Sequence, residues 1–217
     1  MFRKSGFVMA VMFGVSTLSN AGIINDQLFN TGLDADSSTV ATRGGFDSHW
    51  LVDGYNAITY KHPAYAANDF DSKWISVNSN GGNETTSSTM YTYATTFDLT
   101  GYDASTASIS GLWGADNYGS IFLNGNDTGN SLSFGYGAFR RLNQFSIADY
   151  FIEGINTLSV ELTNGHLNPV YDPGPGALRF DDLELQATAV PEPSPLALFS
   201  LGVAGLYFTR RKQNKVS

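Results

Sequence analysis

The sequence predicts an all-β fold built as an antiparallel sandwich. Three observations carry this. Short segments place apolar residues at alternate positions, Gly, Asn and Asp turn signals separate them at near-regular spacing, and the central chain offers one candidate helical turn. No block recurs at a fixed period.

Taken in order, Ile23 to Asn30 alternates loosely and reads as an opening strand, followed by a Gly-, Ser-, Thr- and Asp-rich loop from Thr31 to Gly45. His49 to Val52 and Ala57 to Tyr60 read as strands around the turn Asp53-Gly54, and Trp74 to Val77 as another. Asn78 to Ser88 is a polar loop. In Met90 to Leu99 the residues Tyr91, Tyr93, Thr95, Phe97 and Leu99 share one face. Ala107 to Trp113 and Ser120 to Leu123 read as the next pair, connected through Gly114 to Gly119, with a turn at Asn124 to Asp127. Ser146 opens the candidate helical turn, Ile147 to Phe151. Thr157 to Leu162 turns Leu158, Val160 and Leu162 inward. The last strand, Ala177 to Leu185, changes apolar phase between Leu178/Phe180 and Leu183/Leu185, which predicts a bulge near Asp181-Asp182.

The two ends carry different signals. Arg3 and Lys4, the apolar stretch from Phe7 to Val15 and the small residues Ser19-Asn20-Ala21 read as a secretory signal peptide over residues 1–21, with an uncleaved N-terminal anchor as the alternative. At the other end Pro191, Pro193 and Pro195 forbid a helix before Leu196. An uncharged run of 13 residues, Leu196 to Phe208, follows, and Arg210, Arg211 and Lys212 close it. A stable span needs about 17–25 residues, so this segment suits transient membrane insertion. A permanent single-span anchor and a buried C-terminal helix are the rival readings. The basic end belongs on the cytoplasmic side, which leaves the body exported. Residues 22–189 then form the β-sandwich domain and 190–217 the tail.

The body holds six basic against nineteen acidic residues, a balance of −13. Such a surface repels phosphate backbones and argues against nucleic acid as a partner. The chain has no cysteine, so disulfides, thiolate metal sites and thiol nucleophiles are excluded. A hydrophobic core must hold the domain, with structural calcium as a candidate aid.

The tail resembles the PEP-CTERM sorting signal of exopolysaccharide-producing Gram-negative bacteria. The resemblance rests on Pro191-Glu192-Pro193, the short apolar segment and Arg210-Arg211-Lys212, about an eighth of the chain. It implies recognition by an exosortase-type membrane protease, cleavage near the Pro-Glu-Pro and release to the cell surface or extracellular polymer. The same motif is also labelled an ice-binding protein C-terminal domain, from which no ice binding is inferred. A second resemblance covers about 40 residues. Ser120 to Gly125, then Phe145 to Phe151, then Gly154-Ile-Asn156-Thr-Leu158-Ser-Val160 is similar to the galactose-binding-like jelly roll found in β-galactosidases. It implies a jelly-roll body and, in many members, glycan binding.

Candidate chemistry follows. Sugars are held by flat aromatic rings beside amide and carboxylate groups. Trp113, Asp116, Asn117 and Tyr118 are the candidate glycan contacts, with Trp50, His49 and Trp74 as further platforms; core packing is the competing reading of each tryptophan. Calcium needs about six to eight oxygens. Asp34 and Asp36, with Asp182 or Asp181 from the last strand, are the candidate ligands, and plain surface acids the alternative. The histidines His49, His62 and His166 lack zinc spacing, and neither a Gly-x-Ser-x-Gly elbow nor a phosphate loop occurs. The reading is a non-enzymatic glycan- or matrix-binding module. A structural matrix or adhesion protein and a glycoside-acting enzyme with a carboxylate pair are the alternatives.

Overall fold

A computed structural model describes residues 21–24, 26–82, 89–165 and 174–191. Residues 1–20 of the proposed signal peptide, the tail from Glu192 onward and His166 lie outside the described residues, as do the N-terminal signal helix and the short C-terminal hydrophobic helix expected there.

Among the described residues, alternation of apolar and polar residues generates eleven strands, paired throughout in antiparallel fashion. They are β1 (Ala21–Ile23), β2 (Phe46–Val52), β3 (Tyr55–Thr59), β4 (Ile75–Ser76), β5 (Thr89–Asp98), β6 (Tyr102–Asp116), β7 (Tyr118–Leu123), β8 (Asn126–Leu132), β9 (Asn143–Ile147), β10 (Ile155–Asn164) and β11 (Ala177–Ala189). The strand order is β8-β7-β10-β5-β2-β3-β4-β11-β6-β9, with β1 added on β11. The β2–β3 hairpin and β4 carry the sheet from one half to the other, so it folds over itself as a sandwich close to a barrel. The two free edges approach each other where Asn130 Nδ2 donates to the Ser146 carbonyl at 2.9 Å.

The core fills the space between the halves. Tyr93, Ile121, Leu158 and Val160 meet Ile109, Trp113, Leu178 and Phe180, all buried. On β5 the predicted face holds: Tyr93, Phe97 and Leu99 are buried while Met90 and Thr92 are exposed. The turns hold as well. Asp53-Gly54 and Asn124-Gly125 both have positive φ at each residue, the geometry that matches hairpin twist. The expected bulge is present as a register shift on β11 between Asp181 and Glu184.

Four expectations change. The opening strand is only Ala21–Ile23, because Ile24 and Leu28 turn down into the core instead of alternating along an edge. Ala107 to Trp113 and Ser120 to Leu123 are not a pair: β6 joins β11 and β9, whereas β7 joins β10 and β8, so the chain crosses between the halves at Asn117. Asn126–Leu132, read from the sequence only as a turn, is β8. The helical turn at Ile147 to Phe151 does not form. Phe145 and Ile147 alternate inward as β9, and side chains claim the backbone beyond them.

Those claims come from the motif shared with the jelly-roll resemblance. Asn156, fully buried, accepts from Ile152 N at 2.9 Å and donates to Ile152 O and Gly154 O, each at 2.8 Å. Asn124 Nδ2 donates to Asn156 Oδ1 and to Tyr150 O, both at 2.8 Å, and Asn124 Oδ1 accepts from Thr157 N at 2.9 Å. Two asparagines thus fasten three turns, alongside the backbone bonds Leu99 N to Gly154 O and Asn124 N to Thr157 O. Replacing Asn156 by Ala strands these backbone groups and is expected to cost about 3 kcal/mol, measured as a lower urea midpoint at unchanged m-value.

Candidate functional site

The crossing from β6 to β7 forms a corner. Asp116 ends β6 and Asn117 leads into β7, while the segment between β8 and β9 folds over them as one 3₁₀ turn, Tyr136–Ala138. Asp116, Asn117, Phe134, Gly135, Tyr136 and Phe139 line a cavity of about 340 Å³. Tyr136 is 67% and Phe134 40% exposed. Tyr118 meets Phe134 edge-on at 6.4 Å, and Arg140 lies 4.0 Å over the Tyr136 ring. Asn117 Oδ1 accepts from Gly165 N at 2.7 Å, which pins the corner to the end of β10.

Three of the four residues expected to contact glycan therefore meet at this corner. The fourth, Trp113, does not. It is 2% exposed and lies 6.1 Å from Phe180 in a parallel arrangement, because its position on β6 points inward. Trp50 and Trp74 are buried too, their indole N–H groups donating at 2.9 Å to Phe29 O and Ala66 O. His49 stacks on Phe29 at 3.9 Å. Sequence reasoning missed Tyr136 and Phe134. The signal was present in Phe134 to Arg141: aromatic and basic residues set among glycines, with no strand or helix period to bury them.

Beneath the cavity Asp116 is only 5% exposed. Tyr65 OH lies 2.8 Å from Asp116 Oδ2 and 3.1 Å from Pro175 O, yet a phenol has one hydrogen. The single phenol proton is shared between the two acceptors, Asp116 Oδ2 and the Pro175 carbonyl. Burial, only partly offset by the Tyr65 hydrogen bond, pushes the Asp116 carboxyl up to about 7.

A second cluster concerns calcium. Among the described residues Asp69, Asp71 and Asp181 bring carboxylate oxygens within 4.8 Å of one another; Asp34, Asp36 and Asp182 do not join this group. Asp34 Oδ1 instead accepts from Asp36 N at 3.0 Å and Ser38 N at 2.9 Å, closing its own loop. The converging acids already hold a cation. Arg179, 1% exposed, donates to Asp69 and Ala67 O, to Asp181 at 3.0 Å and to Ser72 Oγ at 2.7 Å. Burial opposes the charged form of Asp69, but Arg179 and neighbouring hydrogen bonds hold its carboxyl down to about 2. The guanidinium thus pairs two of the three clustered carboxylates, Asp69 and Asp181.

Another cavity, about 450 Å³, has Asp103 and Glu153 in its lining. Asp103 Oδ1 accepts from Ser105 Oγ at 2.7 Å and Ser105 N at 3.0 Å, and these bonds lower its pKa.

The chain's own tail supplies the decisive comparison. Residues 189–212 are a PEP-CTERM protein-sorting motif. The PEP-CTERM motif marks an exported protein handled by an exosortase; only its first three residues are described here. Among the described residues no helix is long and apolar enough to cross a membrane. No curated protein matches the chain in sequence. Solved structures similar to it include the CBM36-1 domain of a multidomain xylanase from the hindgut metagenome of Trinervitermes trinervoides, at 12% identity and TM-score 0.34, covering 80% of this chain and 100% of that one. Another is β-glucosidase from Kluyveromyces marxianus, at 14% identity and TM-score 0.34. There the match covers 80% of this chain and 21% of the enzyme.

Two outcomes are expected. The folded state keeps the Asp116 proton up to about pH 7, whereas the unfolded chain loses it near about 4. Unfolding free energy should therefore fall as pH rises from about 4 to 7 and level off above, by about 4 kcal/mol at most. Asp116→Asn should remove that slope in denaturant titrations across the range. Arg179→Met leaves the buried Asp181 carboxylate unpaired and should cost about 3 kcal/mol, while EDTA leaves the wild-type melting temperature unchanged.

Proposed function

We propose that this chain is a non-enzymatic surface or matrix protein, processed at its PEP-CTERM motif by an exosortase-type membrane protease and associated with extracellular polysaccharide through the β6–β7 corner. The observation that carries the glycan reading is the pairing of exposed Tyr136 and Phe134 with Asp116 and Asn117 around one cavity. Rings of this kind stack on the apolar face of a pyranose, and the amide beside them can bond its hydroxyls. The net acidity of the body favours an uncharged polymer over an acidic one. Only one carboxyl lines this cavity, which supports contact without bond cleavage.

A purely structural role is the second reading, and the burial of all three tryptophans favours it. The two separate on a glycan array that includes the host's own exopolysaccharide. Selective binding that weakens about tenfold in Tyr136→Ala supports the corner as the contact. A blank array with well-folded protein leaves the structural role. Sorting is checked separately by intact mass of the secreted protein. A chain ending near Pro191 supports cleavage, and one still ending at Ser217 refutes it.

A further inference from the structure

An open cleft of about 600 Å³ lies on the outer face of the β11–β6–β9 half. Ile109 and Trp113 of β6, with Phe145 and Ile147 of β9, take the inward positions, so Ser110, Gln144 and Ser146 stand outward. Ser110 and Ser146 are register partners. Asn130 reaches across from β8 and walls one side, held by its bond to the Ser146 carbonyl. From β11 the bulge adds Asp182, exposed, at φ 49.

Glycine at position 111 permits this arrangement. A Cβ there would lie 3.0 Å from Asp181 O and 3.1 Å from Asp182 O, so any larger residue would press the bulge away. Bulges re-aim side chains, and this one delivers a carboxylate into the cleft. Among the described residues the side chains of Ser110, Gln144, Ser146 and Asp182 make no hydrogen bond to another protein group. Two hydroxyls, an amide and a carboxylate thus face one concavity with their bonding capacity unspent.

The composition of the cleft selects its ligand. One carboxylate falls far short of the about six to eight oxygens of a calcium site. No cation lines it, so a polyanion would meet only Asp182 and be repelled. We propose that this cleft binds a segment of uncharged glycan. Sugar hydroxyls donate to Asp182 and to the Gln144 carbonyl oxygen, and accept from Ser110, Ser146 and the Gln144 amide. The proposal is independent of the corner cavity.

The test is calorimetric titration of the secreted protein with uncharged gluco-, manno- and galacto-oligosaccharides, and with an oligouronate of equal length. Asn tolerates the left-handed backbone of position 182, so Asp182→Asn should stay folded. At least one uncharged oligosaccharide should bind, about tenfold more weakly in Asp182→Asn. Ser146→Leu, which fills the cleft from an exposed position, should abolish that binding, whereas Tyr136→Ala should leave it intact. Preference for the oligouronate overturns the proposal, as does no binding of any uncharged probe. Binding untouched by both cleft variants but lost in Tyr136→Ala overturns it while leaving the corner reading in place.

Discussion

Phe180 is the ring the core depends on. Trp50 lies parallel to it with centroids 5.0 Å apart, Trp113 at 6.1 Å, and Phe145 meets it edge-on at 5.4 Å. These rings come from β11, β2, β6 and β9, so one aromatic stack joins the β11–β6–β9 end of the strand order to its middle. It also explains why tryptophans that a sugar site would have used are absent from the surface. Three large rings bury more apolar area in the core than three solvent-facing platforms could recover from occasional contact with ligand.

The same strand meets an electrostatic constraint on its other face. Arg179 follows Leu178 and precedes Phe180, so it points away from the core, yet the loop between β3 and β4 covers it. A covered guanidinium must be fully bonded, and Asp69, Asp181, Ser72 and Ala67 supply the acceptors. An acidic body thereby turns some of its excess charge into a fastening between loop and strand. The bulge that follows immediately places Asp182 outside this network and in the outer cleft.

The corner cavity and the outer cleft open where the chain changes sheet halves or breaks register. The corner at Asn117 exists because β6 ends in one half and β7 begins in the other. The outer cleft exists because β11 slips at Asp182. Regular strand packing closes the space between side chains; an interruption reopens it and leaves polar groups pointing into it. The outer cleft is walled by strands, whereas the corner cavity is closed by the segment between β8 and β9.

Much of this was legible in the sequence because it is local. The faces of Met90 to Leu99 and Thr157 to Leu162, the turns at Asp53-Gly54 and Asn124-Gly125, the bulge at Asp181-Asp182 and the sorting motif each depend on residues a few positions apart. Pairing partners were not legible, since alternation says which face is buried but not which strand lies alongside; β6 and β7 look like a hairpin and are not one. Nor could spacing show that Trp113 faces Phe180, that Arg179 meets Asp69 across 110 positions, or that Tyr136 closes over Asp116. The sequence by itself determined the address, the strand periodicity and the turns. The tertiary structure alone decided which rings are core, which acids are neutralised and where the two cavities open, because each depends on contacts between segments far apart in the chain.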